Sequence, residues 1–304
     1  MLSVLISIYN YDASALIIEL GRQAQQLRKE IDGFACEMLV GDDASTDSVA
    51  EAANRKACQT VGAHYRRFEH NIGKAYLLNI FAEQARGGWL LMIDSDAKVV
   101  APDFLRTYWE DRNKADVICG ALKNPPGPAP EGCELRYRYE KAAERQRPAA
   151  YRNRVPYSCF TTFNVMFRSD VFNQIRFDSR CTEYGYEDTL MGLMLKQHGK
   201  SVLHTDNALY HMGIDQNALF LEKTEKSLRV LSRLGEPMQS TAGASRVYKF
   251  VDRCHLVRLV VWGFRHLRKS LRRNLLGHHP SLFCFQLYKT GYYAEYHAAQ
   301  LGLI

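Results

Sequence analysis

The stretch that most constrains this chain is Trp89-Leu90-Leu91-Met92-Ile93, enclosed by Gly87-Gly88 on one side and Asp94-Ser95-Asp96 on the other. A short unbroken apolar run between turn residues has the length of a strand buried on both faces, as in the middle of a parallel sheet. Two carboxylates at its end would be costly to bury unpaired, so a cation or a solvated cleft belongs there. In open α/β sheets that strand end is also where ligands bind. An Asp-x-Asp tip offers the oxygen ligands that Mg2+ and Mn2+ prefer, and such ions usually also hold substrate phosphates. By itself the tripeptide reads equally as a turn or a cap, so its meaning rests on its neighbours.

Those neighbours alternate between two periods. Leu2–Tyr9 reads as a strand closed by Asn10 and Asp12, and Ser14 can cap a helix with Leu16, Leu20, Ala24, Leu27 and Ile31 on one stripe, stopped by Gly33. Cys36–Val40 is a second strand. Its turn, Gly41–Asp47, caps a helix to about Val61, with Asp47 the best cap. Tyr65–Phe68 is a third strand, and Asn71-Ile72-Gly73-Lys74 opens a helix that ends at Gly87. This repeat predicts an α/β fold, a parallel sheet with crossover helices. Further strands are expected over 116–120, 160–167 and 201–209. Helices are expected over 131–147, from Ser169 and over 187–198, with only helices after Gln216. A boundary near Gly235-Glu236-Pro237, with a linker over Gln239–Ser245, separates residues 1–235 from a helical extension over 236–304.

A chain of 304 residues, 46% hydrophobic, can bury one large core or two modest ones. Its formal net charge of +7 suits phosphorylated substrates, an anionic membrane surface or nucleic acid. The eight cysteines are scattered without a Cys-x-x-Cys pair, which fits reduced thiols in a cytoplasmic protein. No signal peptide is read at the N-terminus, and no run of apolar residues has the length of a membrane span.

Three loops converge on the edge that carries Asp94 and Asp96. The first holds Ser7, Tyr9 and Asn10, suited to stacking on and bonding a base or ribose, or alternatively an ordinary turn. The second holds Asp42 and Asp43, acceptors for the imide N–H of a uracil, or a helix cap. The third places Gly73 and Lys74 at a helix N-terminus, where N–H groups and an ammonium favour a diphosphate; as a plain surface residue Lys74 would simply be solvated.

Taken together, Ser3–Asn10, Val40–Asp47, Asn71–Lys74 and Asp94-Ser95-Asp96 resemble, in order and spacing, a family 2 glycosyltransferase of the inverting GT-A type, over roughly residues 1–220. The resemblance implies a nucleotide-diphosphate sugar donor, a UDP-sugar first among them, and a divalent metal, Mn2+ or Mg2+. It implies a Rossmann-like, mixed but mostly parallel sheet flanked by helices, with a nucleotide-sugar half to about residue 120 and an acceptor half over 121–235. Asp43, with or without Asp42, would read the base and Asp94 the ribose, with Ser95 and Asn71 in the donor site, while Asp96 would hold the metal. Ser7 stands where the family often has proline. Tyr184-Gly185-Tyr186-Glu187-Asp188-Thr189 resembles the family's Glu-Asp acceptor motif. Inversion at the anomeric carbon needs a base opposite the leaving diphosphate, and Asp188 is the candidate, with Glu187 and Tyr186 orienting the acceptor; an acidic pair that merely complements a helix dipole is the alternative. Thr161, Thr162 and Asn164 fall where the family lines its acceptor pocket. His211 resembles the extra metal ligand of some GT-A enzymes, though a lone histidine is also a common structural residue.

The tail, residues 246–293, joins basic side chains from Arg246 to Arg273 with Val257, Trp262 and Phe264 and an aromatic-rich stretch from Leu282 to Tyr293. Two readings stand: a basic amphipathic helix lying peripherally on an anionic membrane, or a helix packed on protein with a solvated basic face. The first would suit a lipid-linked rather than a free saccharide acceptor. The Gln-x-x-Arg-Trp motif and membrane spans of processive relatives are absent, so one sugar per turn is expected. A sugar-phosphate nucleotidyltransferase would want a glycine-rich loop after the first strand, which Ile8–Asp12 lacks. A nucleic-acid binder leaves the acidic pairs unexplained, since they would repel phosphate, so no nucleic-acid partner is expected. Oligomeric state is not legible in the sequence.

Overall fold

The computed structural model describes residues 1–178, 185–234 and 243–304. The first half runs β1 (Leu2–Ile8), α1 (Ser14–Glu30), β2 (Cys36–Asp42), α2 (Ser48–Val61), β3 (His64–Arg67), α3 (Lys74–Gln84) and β4 (Trp89–Asp94). It continues with β5 (Ala97–Val99), α4 (Phe104–Asp111), β6 (Val117–Lys123), α5 (Glu134–Gln146), α6 (Ala149–Arg152), β7 (Asn164–Arg168), α7 (Ser169–Ile175), α8 (Glu187–Gln197) and β8 (Val202–His211). Then come α9 (Asn217–Arg233), α10 (Gly243–Arg253), α11 (Val257–Leu275) and α12 (Leu282–Gln300).

Among the described residues the eight strands form one sheet in the order β3-β2-β1-β4-β7-β6-β8-β5. The β1–β2, β2–β3, β1–β4 and β6–β8 pairs are parallel; β7 and β5 pair antiparallel with their neighbours. Strand alternation sorts the core into two layers. Val4, Ile6, Leu91 and Ile93 pack on one face with Leu16, Ile17 and Leu20 of α1. Leu5, Leu90 and Met92 face the other way, onto Leu77, Leu78 and Phe81 of α3. The apolar run before Asp94 is therefore buried on both faces, as its composition requires.

Local chemistry sets the element ends. Asp47 caps α2, its carboxylate accepting from the N–H groups of Val49 and Ala50 at 3.0 Å each. Gly62, at φ +69°, closes the same helix in the left-handed region. Ser14 does not cap α1. It is the first helical residue, and its N–H is taken by Asp12 Oδ1 at 2.9 Å, because an aspartate two residues upstream reaches that N–H in an Asx turn. β5, α4 and α6 are additions to the elements expected from sequence; at three, eight and four residues they are too short to show a clear period.

The described residues divide into two compact units: 1–125, 144–178 and 191–213 form one, and 126–143, 185–190, 214–234 and 243–304 the other. The sheet lies wholly in the first. The second is helical, with a core of Leu221, Leu228, Phe264, Phe285, Tyr288 and Tyr293 among others. The expected boundary at 235/236, and most of the expected linker, fall outside the described residues. α9, expected with the sheet, belongs by its packing to the helical unit, since Leu221, Leu228 and Leu231 insert into that core.

Candidate active site

The chain crosses from one side of β1 to the other between β3 and β4, so the carboxyl ends of β1 and β4 meet at a topological switch point, where open α/β sheets bind ligands. The register aligns the edge: Ser7 sits opposite both Gly41 and Asp94, and Ile8 opposite Asp42. Beyond β1, Tyr9 is 52% exposed.

Lys74 opens α3 behind Gly73, whose φ of +84° suits glycine. Its ammonium pairs with Asp94 Oδ1 and donates to Thr162 Oγ1 at 3.1 Å. One cation thus gathers the end of β4 and the loop before β7 at the N-terminus of a helix, where backbone N–H groups also attract anions. The sequence places Lys74 and Thr162 in separate roles, donor and acceptor; the fold makes them hydrogen-bond partners.

Asp96 and His211 form the second pair. Ala97 lies opposite His211 in the β5–β8 ladder, and Met212 N–H donates to the Asp96 carbonyl at 2.8 Å. This pairing brings His211 Nε2 to 3.1 Å from Asp96 Oδ2. His211 is buried while Asp96 is partly open. Gly213 completes the cradle: a Cβ there would come 2.3 Å from Asp96 Oδ2. Tyr11 is a neighbour that sequence reasoning missed. Its hydroxyl pKa is pushed up by burial, then by the charges of Asp96 and Asp12, and its position just past the first strand was the only signal for it.

The donor set fits a small divalent cation. A carboxylate oxygen and an imidazole nitrogen are ligands that Mn2+ accepts, and adjacent ligands of an octahedral ion with ~2.1 Å bonds lie about 3.0 Å apart, close to the separation here. Among the described residues no group of three His, Cys, Asp or Glu side chains is placed to hold a metal.

Other expected donor contacts take part in building the loops. Asp42 is 0% exposed, its carboxylate accepting from Ser45 N–H at 2.7 Å and Tyr65 hydroxyl at 2.9 Å. These two contacts fold the Asp42 carboxylate into the base of the second loop. Asp43 is 3% exposed and accepts from Ile72 N–H at 2.7 Å and Gly73 N–H at 2.9 Å. It ties the second loop to the third and sets the entry to α3. Asn10, at φ +50°, accepts through Oδ1 from the N–H groups of Thr46 and Asp47, and so ties the first loop to the second. Asn71 is exposed and Ser95 half-buried.

On the acceptor side, Thr161 is half-buried and Thr162 buried. Asn164 is 1% exposed, Oδ1 accepting from Tyr108 hydroxyl at 2.6 Å and Nδ2 donating to Asn207 carbonyl at 3.0 Å, which ties β7 to α4 and β8. In the helical unit, Gly185 (φ +110°) and Tyr186 (φ +74°) turn the chain into α8. A positive φ is strained for an aromatic residue. The Tyr186 ring is held against the helical core, and burial pushes its hydroxyl pKa well up, so its visible part is anchoring the turn. Gly185 N–H donates to a Glu187 carboxylate oxygen at 3.0 Å, which leaves Glu187 and Asp188 in the first turn of α8. Tyr184, in the same motif, lies outside the described residues.

The model of the family described as glycosyl transferase family 2 matches residues 3–177, more than half of the chain. The chain belongs to this family. Solved structures of the same fold include a mannosyltransferase from Pyrobaculum calidifontis in complex with GDP-Man and Mn2+, with 15% identity, TM-score 0.55, and coverage of 98% of this chain and 87% of that one. A second is glucosyl-3-phosphoglycerate synthase from Mycobacterium tuberculosis with Mn2+, UDP and glucosyl-3-phosphoglycerate, at 17% identity, TM-score 0.52, and coverage of 78% and 81%. A third is TarS 1–349 from S. aureus, at 16% identity, TM-score 0.50, and coverage of 99% and 91%. No curated protein matches the chain in sequence. Family 2 membership and the GT-A fold agree with the resemblance carried by the four motifs, and make the protein a glycosyltransferase. Among the described residues, no helix of this family 2 chain is long and apolar enough to cross a membrane.

Proposed function

We propose that the protein is an inverting, metal-dependent glycosyltransferase that moves one sugar from a nucleotide-diphosphate sugar, a UDP-sugar in the first instance, to a hydroxyl of a saccharide or lipid-linked saccharide on the cytoplasmic side of the cell. The observation that carries this reading is the meeting of Asp96 with His211, beside Asp94 with Lys74, at the carboxyl end of β4. The Mn2+-bound relatives of the same fold support it.

Asp96 and His211 would hold the metal, which, when bound, would offset charge growing on the departing diphosphate. Lys74 adds a positive charge at the α3 N-terminus, where the diphosphate oxygens would be drawn. Tyr9 presents its exposed ring for the base, and Asp94 accepts from the ribose. Asp43 keeps the Ile72-Gly73 backbone in place for these contacts. Asp188 takes the proton from the acceptor hydroxyl as the new glycosidic bond forms and the anomeric C–O bond to the diphosphate breaks. One displacement gives inversion with no covalent intermediate. Glu187 and Thr161 orient the acceptor, and positioning of this kind is itself a large part of catalysis.

The test is calorimetric binding of UDP with and without Mn2+. Binding that needs the metal, and is lost in Asp96→Asn, supports the reading; metal-independent binding, or none, sinks it. A panel of nucleotide sugars assayed for slow hydrolysis then identifies the donor.

A further inference from the structure

The helical unit carries a surface that the transfer reaction does not use. α11 buries Val257, Val261, Phe264, Leu271 and Leu275 on one stripe. At 100° per residue, Leu259, Trp262, His266, Lys269 and Arg273 fall on the opposite side. Leu259 is 60% and Trp262 61% exposed, so a tryptophan stands outward where a solvated helix would carry polar groups. α10, just before it, does the same. It buries Ser245 and Tyr248 and turns Val247 and Phe250 out, Phe250 being 68% exposed.

Charge around this surface is one-sided. Between Asp252 and Glu295 the sequence has no Asp or Glu and eight Lys or Arg. Arg265 and Arg268 reach Glu295, and Arg272 reaches Glu225, whereas Lys269 and Arg273 share the outward stripe with Trp262. Apolar side chains fill the first half of that stripe and cations the second. A protein partner with an apolar patch would match the first half only. An anionic bilayer matches both, taking rings and aliphatic chains into the acyl boundary while its headgroups pair with the cations.

We propose that the outward face of α10 and α11, centred on Phe250, Leu259 and Trp262 and flanked by Lys269 and Arg273, docks on an anionic lipid surface. The proposal stands independently of the donor and metal assignments. It supplies a reason for a lipid-linked acceptor, since a docked enzyme meets such acceptors in two dimensions.

The experiment is sedimentation of the full chain with vesicles of phosphatidylcholine alone, or mixed with phosphatidylglycerol, at low and high salt. The chain is expected to pellet with the mixed vesicles, to bind pure phosphatidylcholine at least about tenfold more weakly, and to be released by salt. Leu259→Ser with Trp262→Ser, and separately Lys269→Glu with Arg273→Glu, should each weaken binding about tenfold while the circular dichroism spectrum stays unchanged. Mixed vesicles should also shift tryptophan emission to the blue in the native chain but not in Trp262→Phe, since Trp89 and Trp109 are partly buried. A chain that stays in the supernatant overturns the proposal, as does pelleting that ignores both double variants. A concentration-dependent dimer that only the Leu259/Trp262 variant dissolves assigns the face to a second copy and also overturns it.

Discussion

His211 Nε2 lies 3.1 Å from Asp96 Oδ2, although 115 positions separate the two residues in the chain. The short β5 strand makes the meeting: its Ala97 is in register with His211, so the residue before β5 and the last residue of β8 share one edge. If this pair holds the cation, His211→Ala should raise the manganese concentration needed for half-maximal UDP binding by at least about tenfold, with little change in melting temperature. Titrating free manganese by electron paramagnetic resonance in the presence of UDP measures this directly. A variant that retains native affinity would leave the histidine a purely structural role.

Gly213 offers a subtler test of the same pair. A methyl group there would sit 2.3 Å from Asp96 Oδ2, 2.8 Å from its Cβ and 2.9 Å from its Cγ. Rotation of the carboxylate relieves the contacts to Oδ2 and Cγ, and a small backbone shift the one to Cβ, so Gly213→Ala should fold at a cost of about 1–3 kcal/mol yet lose metal-dependent UDP binding. Gly87→Ala is the matched control. Its Cβ would meet Ser3 Oγ at 2.6 Å and Ser3 N at 2.8 Å, which disturbs β1 and leaves Asp96 alone. It should lower stability and keep the metal dependence. Equal loss of binding in both variants would mean that general destabilisation, not the Asp96 cradle, is being read.

How much of this was legible beforehand depends on sequence distance. The strand ending in Asp94, the Asp47 cap and the alternating first half are local, set by hydrophobic period and by side chains reaching two or three residues along the chain. Asp42 and Asn164 are of residue types that serve ligand contact and loop building alike. Ser45, three residues from Asp42, is a local partner, but Tyr65, Tyr108 and Asn207 come from other elements and draw both side chains into the fold. Lys74 with Thr162, and Tyr11 with Asp96, were invisible for the same reason. The resemblance carried the roles, but only the fold shows which carboxylates face inward.

In the proposed reading Lys74 meets the diphosphate, and it also steadies Asp94 and Thr162. Lys74→Met keeps much of the stem and removes the charge. Losing one charge-assisted contact of about 1.5–3 kcal/mol should raise the donor KM by one to two orders of magnitude. Initial rates over a range of donor concentrations give the number. An unchanged donor KM would assign Lys74 to loop structure alone.

His204 predicts an acid sensitivity. Nε2 lies 2.9 Å from the Pro156 carbonyl and Nδ1 3.1 Å from an Arg152 nitrogen, so Nε2 carries the proton and Nδ1 accepts. Burial pushes the imidazole pKa below its ordinary value; the Pro156 carbonyl opposes the shift and the Arg152 guanidinium adds to it. The unfolded chain therefore takes up the proton first, at about pH 6.5. Stability from this group is complete above that pH and falls as the pH drops toward the lowered folded value, with a slope of up to about 1.4 kcal/mol per pH unit. Urea midpoints at pH 7 and pH 5 should differ less in His204→Gln than in the native chain. The same difference in both would move the origin of acid sensitivity elsewhere.

Asp188 is the group on which the chemical step depends in this reading. It stands in the first turn of α8 behind a strained Gly185-Tyr186 turn, and Glu187 is partly engaged in closing that turn. A base removes a proton only during bond formation and has no part in holding the nucleotide. Asp188→Asn should therefore lower kcat by about 10²–10⁴ while the dissociation constant for UDP with Mn2+ stays within about twofold. Glu187→Gln should act more weakly on kcat and more on the acceptor KM, because it orients rather than accepts. If Asp188→Asn turns over normally, the proton leaves by another route. If UDP affinity falls in step with kcat, Asp188 acts through the donor site and is no base.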